Sequence, residues 1–257
     1  MSRLIDKLNQ VSQAEHPPMG FRAARTASKP RMLIVARLSQ TDVGNPAELV
    51  AGADAGLLTI DRPGSEVKVL EKIVQAVPDI PWGGWLDSTS RDEVKKIEKA
   101  GFDFLFFPAA KMSLALLEAE KIGKILAVEA SLDESLIRAI NELPADAVFV
   151  DIRQKEEYFL TWHQLMLFQC FTTLLTKPML VPVPFNVVTN ELQLLWELGV
   201  DGVVVEAAPG QPAGGLNKLH QMIDGLTLTS KRKRMKVRAV LPYLKEEASP
   251  ITDEEEE

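Results

Sequence analysis

Eight short apolar runs recur along the chain, separated by longer segments whose apolar residues follow a helical period. The runs are Met32–Ala36, Gly56–Ile60, Trp82–Leu86, Phe104–Phe107, Ile125–Val128, Ala147–Val150, Met179–Val183 and Val203–Val205. Each is continuous and rich in Val, Ile, Leu and Phe, as strands covered on both faces must be. Between them the spacing predicts helices over 65–77, 90–100, 112–122, 133–143, 161–176, 189–198 and 216–223. Ser90-Arg-Asp-Glu93 supplies a capping box for the second of these. Strict alternation of strand and helix implies right-handed crossovers and a parallel sheet. Eight such units predict an α/β fold, a closed eight-stranded parallel (β/α)8 barrel.

A repeated phrase sharpens this. Ala51-Gly-Ala-Asp54, Ala100-Gly-Phe-Asp103, Leu143-Pro-Ala-Asp146 and Leu198-Gly-Val-Asp201 introduce the second, fourth, sixth and eighth runs. In three of them a glycine closes the preceding helix. A period of two strands is what a barrel has and a doubly wound open sheet does not. Counting five residues on from each aspartate gives Thr59, Pro108, Asp151 and Glu206. Because alternate strands share a layer inside a barrel, these four are expected in one layer at the mouth.

The barrel is expected to span 31–228, a single domain. Residues 1–30 read as a short helix and a connection covering the barrel's bottom. Residues 229–257 run from the basic stretch Lys231–Arg238 to the acidic Asp253–Glu257, the form of a charged interaction tail. The net charge of −7 over 257 residues belongs to the body, since the tail from Lys231 on is neutral. A body of that sign excludes a nucleic-acid partner. One cysteine, Cys170, points to a reducing compartment, and with 3 histidines it leaves no structural zinc site. The opening residues are amphipathic and charged, and no apolar run reaches the ~20 residues of a membrane span. A cytoplasmic protein with no membrane partner is the expectation.

Barrels of this kind carry their sites at the C-terminal strand ends. Those ends read Arg37, Asp61-Arg62, Asp87, Pro108 to Lys111, Glu129, Asp151 to Arg153, Asn186 and Glu206. Converging carboxylates either bind a divalent ion such as Mg2+ or raise one pKa for acid–base work. Asp151, Glu206 and Lys111 are the candidate catalytic residues, and Glu129 with Asp151 the candidate metal ligands. Arg37, Arg62 and Arg153 offer two-pronged guanidinium contacts to a carboxylate or phosphate, with Asn186 beside them. Charge balance among neighbours is the plainer explanation of the same residues. Gly214-Gly215, after the eighth strand, sits where backbone amides meet phosphate in many barrels. In Trp82-Gly-Gly-Trp85, the glycines admit either a ligand or core aromatics, and Trp85 offers a flat wall. Finally, segment 161–176 is apolar on most of its circumference, so either the N-terminal segment or a second copy, in a homodimer, should cover it.

These strand ends resemble the phosphate-binding and metal-dependent pyruvate-aldolase groups of (β/α)8 barrels, over about residues 31–225. The resemblance implies Glu129 and Asp151 as magnesium ligands and Arg37 or Arg62 on the keto acid. The chain departs from the aldolases where Ile152-Arg153 follows Asp151, and it has no base histidine near the second strand. No lysine lies inside a strand near its end, which argues against a Schiff-base aldolase. Three functions follow. The first is a lyase or isomerase acting on a small phosphorylated or carboxylated metabolite. The second is a non-catalytic barrel that binds a ligand or a protein partner. The third is a flavin- or pterin-dependent enzyme, suggested by the aromatic third strand and Gly214-Gly215.

Overall fold

The structure is a computed structural model; it describes residues 2–12, 31–39, 46–60, 73–88, 90–152, 159–209, 211–212 and 214–227. Eight parallel strands close in sequence order, β1 pairing with β8. They are β1 Leu33–Leu38, β2 Ala55–Ile60, β3 Trp82–Leu86, β4 Phe104–Pro108, β5 Gly123–Glu129, β6 Ala147–Asp151, β7 Met179–Pro182 and β8 Gly202–Glu206. Every predicted run is a strand, within two residues at each end. The register steps once around the circuit amount to a shear of eight residues, the value of a (β/α)8 barrel.

The helices described from end to end are α1 Arg3–Ser12, α2 Pro46–Leu49, α3 Arg91–Lys99, α4 Glu134–Ala139, α5 Trp162–Leu174, α6 Thr189–Leu198 and α7 Gly215–Asp224. One expectation fails: 112–122 is not an α-helix but holds a five-residue 3-10 turn, Leu114–Glu118. Its Ser113 hydroxyl accepts from Ala115 N (3.2 Å), and β5 starts two residues early, at Gly123, consuming the last turn's worth of chain. The start of the predicted helix 65–77 lies outside the described residues, as does the tail 229–257. No described helix is long and apolar enough to cross a membrane.

The repeated aspartates turn out to close the bottom. Asp54 accepts from Ile34 N (2.9 Å), Asp146 from Lys124 N (2.7 Å) and Asp201 from Met179 N (2.8 Å). Each carboxylate thus satisfies the first or second amide of the strand before its own. Asp103 does something else. It accepts from Ser2 Oγ (2.7 Å), Arg3 N (2.7 Å) and Leu4 N (2.9 Å), holding the free amides at the start of α1. So anchored, α1 buries Leu4, Ile5, Leu8 and Val11 among the interior residues Leu33, Phe104, Ile125 and Leu180. Gly123 makes this possible: a Cβ there would lie 2.6 Å from Ile5 Cγ1.

Above α1 the interior is stacked in layers drawn from alternate strands. Upward run Ala55, Phe104, Ala147, Gly202; then Val35, Gly83, Ile125, Leu180; then Leu57, Phe106, Phe149, Val204. The β3 glycines serve this packing rather than a ligand, because the Phe104 ring occupies the space a Gly83 Cβ would need. Trp82 lies on the outer face, with Nε1 donating to Val77 O at 2.9 Å.

Candidate functional site

The next layer up changes character. It consists of Arg37 on β1, Trp85 on β3, Ala127 on β5 and Pro182 on β7. Above it stand Thr59, Pro108, Asp151 and Glu206, in the register the four repeated words predict. Asp87 and Glu129 lie one layer higher, Glu129 paired directly with Asp151 across β5 and β6.

Trp85 is buried on an aromatic floor. Its ring stacks on Phe106 at 5.9 Å and meets Phe149 edge-on at 5.6 Å. Its Nε1 donates to Asp87 Oδ1 at 3.2 Å, which fixes the plane of the indole. The upper face carries not open space but the Arg37 guanidinium, whose Cζ sits 4.7 Å from the ring centroid. Trp85 is therefore a platform for Arg37. The sequence holds a signal for this pairing: both residues have inward parity on odd-numbered strands.

Arg37 is held on a second side by Thr59, its Nε donating to Oγ1 at 3.3 Å. Its nearest anion among the described residues is Glu206, Nη1 to Oε1 at 3.9 Å, which is too long for a hydrogen bond. No described residue accepts a hydrogen bond from either Nη group. Across the mouth the same layer offers only the small side chains of Ala127 and Pro182. The Arg37 side chain keeps 30% of its surface exposed.

The remaining candidates are scattered around this point. Glu129 is exposed and Asp151 half-buried. Among the described residues no three of His, Cys, Asp or Glu are grouped to hold a metal ion. A carboxylate pair such as Glu129 and Asp151 is still a donor set magnesium accepts when water or substrate oxygens complete the octahedron. Lys111 lies solvent-exposed on the turn after β4, and Asn186 is exposed after β7. Asp61, Arg62 and Arg153 lie outside the described residues. Gly214 is left-handed (φ 78°) with open space where a Cβ would stand. Gly215 packs under the Phe185 ring, and its amide donates to Pro212 O at 3.1 Å. That amide is therefore spent on the loop and not offered to an anion. The loop is further clamped by Gln211, whose Nε2 donates to Glu206 O at 3.0 Å.

On the outer surface, Phe168 and Phe171 of α5 are buried against the barrel. Helix α1 does not cover α5, because it is engaged at the bottom. Trp162 and Met166 remain 83% and 70% exposed. They border a groove of about 610 Å3 between α4 and α5, lined also by Leu165, Cys170 and the Glu134–Arg138 pair.

No family model matches the chain, and no curated protein matches it in sequence. Solved structures do match. Thiamine phosphate pyrophosphorylase from Pyrococcus furiosus superposes with a TM-score of 0.56 at 13% identity, over 75% of this chain and 96% of that one. A mutant tryptophan synthase alpha-subunit from the same hyperthermophile gives 0.57 at 12%, over 76% and 97%. A structure described as native KDPGal gives 0.56 at 13%, over 78% and 95%. At such identities the likeness is one of fold, and it agrees with the closed parallel sheet: the chain is a (β/α)8 barrel.

Proposed function

We propose that the mouth binds a small anionic metabolite, phosphorylated or carboxylated, on the Arg37 fork, and that the barrel acts on it as a lyase or isomerase. One observation carries this reading: a guanidinium fixed by Trp85 and Thr59 whose two Nη groups find no hydrogen-bond acceptor among the described residues. Such a fork matches two oxygens of a carboxylate or phosphate. Asp151 and Glu129 stand around the same opening, where one carboxylate can exchange a proton with the bound molecule. The same pair is the set that would hold Mg2+, which would supply a Lewis acid beside the ligand's oxygens. One of the structures sharing this fold is named for a phosphate ester, which is consistent with an anion site on such a scaffold. A thermal-shift screen of phosphorylated and keto-acid metabolites, with and without Mg2+, tests the reading. Stabilisation of the wild type by a subset of anions, lost in Arg37→Met, is expected. Equal stabilisation of both proteins would move the ligand elsewhere.

A second reading, a barrel that works through contact with another copy of itself, is favoured by the exposed Trp162 and Met166 beside the α4–α5 groove. A protruding indole next to a groove on the same face is self-complementary about a two-fold axis. Sedimentation velocity should show a dimer that Trp162→Asp converts to monomer; a monomeric wild type at high concentration would remove this reading.

A further inference from the structure

We propose that Glu206 is a built-in competitor for the Arg37 guanidinium, so that a ligand enters by exchanging one long carboxylate contact for a two-pronged one. The proposal rests on the anion-binding reading of the mouth given above. Arg37 and Glu206 are direct register partners at the tops of β1 and β8. Their backbones are tied together, since Ala207 N donates to Arg37 O at 2.8 Å. On its other side the Glu206 carbonyl is held by Gln211 Nε2 at 3.0 Å. The Glu206 carboxylate therefore cannot drift from the fork; only its side-chain torsions are free. It is present at high effective concentration whatever the solution contains.

Yet the contact it makes is poor. A side chain rising from the adjacent strand approaches the guanidinium from the flank, and a single Oε1 reaches 3.9 Å from Nη1. With the Glu206 side chain 82% exposed, the attraction is heavily screened by water. Swinging it away breaks no hydrogen bond to Arg37 and uncovers no buried charge. While in place, however, Glu206 offsets the positive potential that draws an anion in, and it repels that anion directly. The arrangement is a displaceable counter-ion: cheap to remove and always ready to return.

Isothermal titration calorimetry with inorganic phosphate on the full-length protein, at low and high salt, tests this. Glu206→Gln keeps the shape and removes the charge, and at an exposed position it leaves folding intact; Glu206→Ala serves as the second variant. The expectation is that both bind phosphate about fivefold more tightly than the wild type at low salt, the gain shrinking at high salt. Arg37→Met should bind none. If Arg37→Met loses binding while both Glu206 variants bind as the wild type does or more weakly, the competitor role is overturned and the anion site stands. If no variant binds phosphate and the wild type binds none, the anion reading falls and this inference with it.

Discussion

The two ends of this barrel use the same residue types for opposite purposes. At the bottom, Asp54, Asp146 and Asp201 each take a backbone amide of the preceding strand, and Asp103 takes two amides and a hydroxyl of α1. Their oxygens are committed to the fold. At the mouth, Glu129 and Glu206 are exposed, and Arg37 keeps both Nη groups without a hydrogen-bond acceptor among the described residues. Charge at the bottom is consumed by structure, whereas charge at the mouth is held in position and left available.

This contrast makes graded predictions. The largest effect should come from the α1 plug. Leu8→Ala empties a fully buried site and should cost about 3 kcal/mol of unfolding free energy in urea. A loss under ~1 kcal/mol would mean that α1 is an ornament on a barrel closed without it. Next, Asp103→Ala strips three hydrogen bonds from the start of α1 and should cost about 2 kcal/mol. At the mouth, Glu129→Gln should stay within about 0.5 kcal/mol of the wild type, because nothing described depends on its charge.

The smallest effect is a pH dependence at the bottom. Burial pushes the Lys177 pKa below its ordinary 10.5, with Asp146 and Glu142 partly opposing. Its ammonium donates to Leu143 O (2.6 Å) and Ala145 O (2.7 Å). The unfolded chain therefore binds the proton more readily than the folded one. Stability should rise with pH as it climbs through the window just under 10.5, and Lys177→Met should flatten that rise. A slope of the opposite sign would show the carbonyls and acids outweighing burial.

The sequence made the bottom legible and the mouth only partly so. Strand positions and layer register follow from the apolar runs and from the aspartate words, which recur once per two strands. What Asp103 does was hidden, since its partners Ser2 and Arg3 lie 100 residues away in the chain. Arg37 was identifiable as a candidate, but its stack on Trp85 was not, as it depends on how β1 and β3 align through β2. A glycine pair before a helix fits an anion site and a packing contact equally well, so the Phe185 ring beside Gly215 and the bond of its amide to Pro212 O were not legible.

An acid from each end of the barrel tests the central claim most directly. Urea unfolding of Asp146→Ala and Glu129→Ala, under one set of conditions, places a bottom acid and a mouth acid on the same scale. A loss of about 1.5 kcal/mol is expected for Asp146→Ala, which forfeits the charged bond to Lys124 N. A change within about 0.5 kcal/mol, of either sign, is expected for Glu129→Ala, an exposed side chain. If Glu129→Ala is instead the more damaging of the two, the mouth acid is a structural plug and the division between the two ends is contradicted.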